Sequence, residues 1–276
     1  MLTLISLEVF KMRKKPRSYL GFAGLFAVSV LMAIGLKYGP SPERQVMGAV
    51  PREMLVVGSV LTGGFVAVLM LQGVFFAFAP LFVSMVAGDT MAGEANDGTL
   101  RTAMSRPVSR AAFFGAKLVS SSLYAAAVTL FTGVSAYIVG TIALGRGPVP
   151  VAWEGFAIYP EGQGMVRLLG AYALACVPMI AVASIALLIS TIVNSSPAAI
   201  VGPMILIIGL AVIGEIQFFA PAKPYFFTTY LDLPKYALAP HVSWADMAKG
   251  IGYLFAYIVA FTGAAGLVFC RKDILT

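Results

Sequence analysis

Three acids within nine residues, Asp89, Glu94 and Asp97, are followed by the bases Arg101, Arg106, Arg110 and Lys117. All lie in GDTMAGEANDGTLRTAMSRPVSRAAFFGAK, residues 88–117. The flanking segments, 54–88 and 118–145, hold no charged side chain. Such a mixture suits ion pairing and docking better than bond making. Asp97 and Arg101 stand four apart, a supportive spacing on a helix. Gly98 and Pro107 are expected to bend the chain, because glycine frees the backbone and proline removes a helical N–H. Ser109 is placed to cap the helix that follows. Arg110 and Lys117 are expected at the level of lipid phosphates. A short helical excursion that projects its acids away from lipid suits the docking of a soluble partner. The plainer alternative is a solvated loop that only fixes topology.

The rest of the chain adds little reactive chemistry. No GxxxxGK[ST] phosphate loop occurs, so nucleotide hydrolysis by that route is not expected on this chain. His241 is the single histidine, and no HExxH exists. No GxSxG has a plausible histidine partner, which argues against an intramembrane serine protease. Cys176 and Cys270 fall inside apolar runs and read as small buried side chains. Glu215 is the only ionisable residue expected within a span. It is either a polar contact at an outer gate or an acid reaching the headgroups. No enzymatic role and no cofactor are expected of this chain.

The elements that must position these residues are set by composition. The chain has 276 residues, 59% hydrophobic and 11% charged. Soluble domains carry about 25% charged residues. A surface for so apolar a chain is available only in a bilayer, so an all-α integral membrane protein is expected, with no nucleic-acid partner despite the net charge of +7.

Apolar runs of about 20 residues mark spans. They predict six, at 19–36, 66–87, 118–141, 168–191, 198–218 and 250–270. The NSSP at 194–197 divides the fourth from the fifth. Residues 54–88 are read as one span preceded by a short apolar helix at the outer surface, with Gly63 and Gly64 as the joint. Both termini then share one side. The early basic cluster of Lys11, Arg13, Lys14, Lys15 and Arg17 assigns that side to the cytoplasm. Those charges follow the apolar stretch, the reverse of a cleavable signal. Residues 1–16 read as an amphipathic interfacial helix with the stripe Leu2, Ile5, Val9 and Met12, held at anionic lipid by its lysines and arginines. Its break from the first span is expected at Pro16. Residues 142–167 read as irregular because of their Gly and Pro content. Residues 219–249 read as an outer aromatic segment packed at the membrane surface.

The 88–117 stretch resembles the loop of ABC transporter permeases of the ABC-2 type, an export class. The residues that carry the likeness are Asp89, Glu94, Gly98-Thr99-Leu100, Pro107-Val108-Ser109-Arg110 and Gly115-Ala116-Lys117. The interfacial helix, six spans and aromatic outer segment extend the likeness along the chain. It implies a non-catalytic permease subunit of a bacterial or archaeal inner membrane. Such a subunit works as a homo- or heterodimer with a second permease copy. It docks separate cytosolic ATPase subunits, which carry ATP and Mg, through 88–117. Asp89, Glu94, Asp97, Gly98, Thr99 and Arg101 would serve the coupling. Pro107, Arg110 and Lys117 would set the bend and the lipid anchor. The alternatives are the same machine acting mechanically on an extracytoplasmic protein, and a stand-alone channel or scaffold.

Overall fold

The computed structural model describes residues 1–39, 61–100, 108–153 and 156–272. Helix α1 spans Leu2–Lys14 and α2 spans Pro16–Tyr38. Helix α3 runs Gly63–Asn96 and contains a π-helical stretch, Met70–Phe75. Helix α4 is Arg110–Leu144, α5 is Glu161–Ile192 and α6 is Ser196–Glu215. A short α7, Lys235–Leu238, precedes α8, Trp244–Arg271. Six of these helices, α2 to α6 and α8, are long and apolar enough to cross a membrane. The protein is an all-α, multi-pass membrane protein.

Local chemistry explains the breaks. Lys15 is extended (φ −86°, ψ 122°), as the residue before a proline prefers, and Pro16 opens α2 where its missing N–H is not needed. Ser195 accepts from the Ala198 N–H and Pro197 sits in the first turn of α6, so the predicted 194–197 turn is present. Ser109 caps α4 by accepting from the Ala112 N–H.

The helices are longer than the apolar runs. Helix α3 has 34 residues, about 51 Å at 1.5 Å per residue, against a hydrocarbon core of roughly 30 Å. Its last turns, from Gly88 to Asn96, are therefore helix and not loop. On the other side, α4 begins at Arg110. The expected excursion at 88–117 shrinks to the connection 97–109, of which 101–107 lie outside the described residues. The expected outer helix before Gly63 also lies outside them.

Helix α5 is the central helix and packs on α3, α4, α6 and α8. Close approach is bought by glycine at two crossings. A Cβ on Gly88 would stand 2.5 Å from the Ala199 carbonyl oxygen of α6, and one on Gly140 would stand 2.7 Å from that of Gly63. Strands β1 (Val149–Ala152) and β2 (Phe156–Tyr159) form an antiparallel hairpin where irregular chain was expected. Pro150 lies within β1, opposite Ile158, and the short two-stranded ladder tolerates it. Val149, Val151 and Tyr159 turn inward, and Thr62 Oγ1 donates to the Pro148 carbonyl at 2.7 Å.

The aromatic segment after α6 winds through three 3₁₀ turns. Phe227 is buried and Tyr230 stacks on Tyr253 at 4.8 Å. Arg167 of α5 anchors the segment by donating to the Ala239 carbonyl at 2.7 Å while stacking on Tyr159.

Candidate functional site: an ion cluster at the terminal end of the bundle

Helix α1 lies against the ends of α3 and α4, at the end of the bundle where α8 also ends. Its inward face is Leu4, Ile5, Glu8, Val9 and Met12. The expected stripe is thus only partly right. Leu2 points outward with 84% exposure, and an acid stands in the middle of the protein-facing stripe.

Glu8 and Glu94 are joined by two lysines in a closed ring of alternating charge. Lys11 Nζ lies 2.7 Å from Glu8 Oε1 and 2.9 Å from Glu94 Oε1. Lys117 Nζ lies 3.1 Å from Glu8 Oε2 and 2.9 Å from Glu94 Oε2. Lys117 also donates to the Thr90 carbonyl at 2.8 Å and covers the Phe113 ring at 4.9 Å. Its side chain has 0% exposure. Removing an ammonium from water costs several kcal/mol, so it persists only with such partners. Burial alone would pull the Lys11 ammonium down. Its hydrogen bonds to Glu8 and Glu94, with their negative charge, carry it above the ordinary lysine value instead.

A second knot lies beside the ring. Asp89 Oδ1 accepts from Arg17 Nη1 at 2.8 Å and from Ser196 Oγ at 2.6 Å, and Oδ2 accepts from Lys15 Nζ at 2.7 Å. It ties the α1–α2 joint and the first turn of α6 to α3. Between the two knots, the Ser190 hydroxyl of α5 donates to the Gly88 carbonyl. It accepts from the N–H groups of Met91 and Ala92, at 3.2 and 2.9 Å. A side-chain hydroxyl thereby bridges one turn of α3. The groups of both knots line a cavity of about 30 Å³.

Cations also close the neighbouring helix ends. Arg110 donates to the Cys270 and Lys272 carbonyls at the end of α8, at 3.1 and 2.9 Å. Lys272 donates to the Thr191 carbonyl at 2.9 Å and to Asn194 Oδ1 at 2.7 Å, and desolvation lowers its pKa. Both placements set positive charge on the negative end of a helix dipole.

Several expectations are corrected here. Asp89 and Glu94 do not face outward; each is buried on helical α3, and its carboxylate is taken by cations of the same chain. Lys117 is not a lipid anchor but the buried centre of the ring. Arg110 caps α8. Lys11 and Lys15, both half-exposed, reach the buried acids with their ammonium groups, while Arg13 and Lys14 stay exposed and meet no acid of either knot. Arg101 and Pro107 lie outside the described residues. Asp97 ends α3, and Gly98, at φ +69°, takes the left-handed turn that stops it. Asn96, Asp97, Gly98 and Thr99 form an exposed tip just past the ring. Glu215 sits at the exposed end of α6, 2.9 Å from Lys223. Glu8 was missed. Its signal is its position, three after Ile5 and four before Met12, as the only acid in a basic segment.

The arrangement holds three helices as one body through its ion pairs. No group of three metal-ligating side chains occurs among the described residues. The chain belongs to the DUF2705 family. That family is described as a protein of unknown function, and its model matches residues 56–275, most of the chain. No curated protein matches the chain.

Proposed function

We propose that this DUF2705 protein is the membrane-spanning permease subunit of an ATP-driven exporter of the ABC-2 type. The observation that supports this best is the closed ring of Glu8, Lys11, Glu94 and Lys117, set directly behind the exposed tip at 96–99. A push on that tip would reach α1, α3 and α4 together, because a ring of paired charges with three of its four members buried resists opening.

In this reading the terminal end faces the cytoplasm, in keeping with its exposed Arg13 and Lys14. Asp97 and Thr99 meet a cytosolic ATPase that holds ATP and Mg, with Arg101 and Pro107 in the same connection. Asp89 and Glu94 act behind the contact, passing motion to the spans. The first and fifth spans, α2 and α6, are among the least buried helices, which suits packing against a second permease copy. The test is a Thr99→Cys variant carrying a photoactivatable thiol cross-linker in native membranes. A covalent adduct to a nucleotide-binding protein, weakened by Asp97→Lys, is expected. Adducts to lipid alone would refute the assignment.

A second reading has one supporting observation. The aromatic segment after α6 is fastened to the central helix α5 through Arg167. Motion of α5 would move it, which suits a machine that acts on an extracytoplasmic protein without moving cargo.

A further inference from the structure

An apolar groove of about 290 Å³ runs between α4 and α5, in the half of the bundle nearer the hairpin. Leu130, Val134 and Ile138 of α4 face Met165, Leu169 and Tyr172 of α5 across it. It exists because Gly133 has no side chain; a Cβ there would stand 2.6 Å from the Tyr172 ring. The groove has a charged mouth. Glu161 lies one turn before Met165 on the same face of α5, with its Oε1 3.5 Å from the Tyr137 hydroxyl and 4.0 Å from Arg146 Nε. These long contacts leave most of the carboxylate's acceptor capacity unused. The Arg146 side chain is 77% exposed.

We propose that this groove binds a phospholipid whose head carries a primary ammonium beside its phosphate. One acyl chain lies between α4 and α5, the ammonium meets Glu161, and the phosphate meets Arg146. The paired charges at the mouth match the two charges of such a head in sign and in adjacency. The apolar walls match a tail, which they hold by van der Waals packing. A helix of a second copy, about 10–12 Å across with its side chains, is too thick for a groove opened by one glycine.

The inference does not depend on the ABC-2 reading, since it needs only a membrane protein. The test is native mass spectrometry of the full chain in detergent, titrated with dioleoyl phosphatidylethanolamine, phosphatidylcholine or phosphatidylglycerol. The ethanolamine lipid is expected to be retained about three- to fivefold better than the others, the range of an exposed ion pair. Glu161→Gln should abolish that preference. Val134→Trp, a change at a half-exposed position, should fill the groove and reduce retention of every lipid. Equal retention of the three lipids by the unaltered protein, a preference that survives Glu161→Gln, or retention unmoved by Val134→Trp would overturn the proposal. Efficient disulfide dimerisation of Val134→Cys in membranes would overturn it too, by placing a second copy over the groove.

Discussion

Lys117 Nζ, without any solvent exposure, stands 2.9 Å from Glu94 Oε2 and holds the start of α4 to the end of α3. Glu8 and Lys11 close the ring from α1. Removing one partner leaves a buried charge uncompensated, at a cost of about 3–5 kcal/mol. Lys117→Met is therefore expected to lower the unfolding temperature in detergent sharply. Adding Glu94→Gln leaves the Glu8–Lys11 pair balanced and should restore part of the loss. The two substitutions should be clearly non-additive in a double-mutant cycle; simple addition would show that the two groups do not interact.

Asp89→Asn should act at a different place. It weakens charge-assisted bonds from Lys15 and Arg17, about 1.5–3 kcal/mol at most and less here because both cations are partly exposed. The expected result is faster hydrogen exchange at the α1–α2 joint and in the first turn of α6, with α8 unchanged.

Gly88 predicts a packing effect. Gly88→Ala places a methyl 2.5 Å from the Ala199 carbonyl oxygen. Overpacking of that kind costs about 1–3 kcal/mol and should part α3 from α6. Distance measurement between spin labels on the two helices would register the shift, whereas Gly73→Ala, with open space around its Cβ, should leave it unmoved.

Alkaline pH should release α1. The folded-state pKa of Lys11 is raised, so its contribution is complete below the unfolded lysine value and is lost as pH rises through the higher folded value. Protease access to α1 should rise only above the ordinary lysine range, and Lys11→Arg should move that onset upward.

The six spans were legible because each needs a long apolar run, and the breaks at Pro16, Ser109 and 194–197 because proline and capping serines act locally. The inward turn of Asp89 and Glu94 was not. Acids beyond an apolar run look like loop, and nothing local tells that α3 continues for two more turns. Their cations come from α1 and α4, distant in sequence. Lys117, at the head of an apolar run, looks like an interfacial lysine until Glu8 is placed beside it. The hairpin was hidden because Pro150 sits inside β1 and further Gly and Pro surround it, a composition that reads as irregular chain. The exposed tip at Asp97 and Gly98 was legible, since a glycine after the last helical turn is a common stop.

The measurement that bears most directly on the account is gentle affinity purification of the tagged chain from its own host membranes, with mass spectrometry of what accompanies it. An ATPase of the transporter type is expected, reduced by Asp97→Lys at the exposed tip. Reproducible recovery of the chain with no nucleotide-binding protein, under conditions that keep α1 docked, would contradict it.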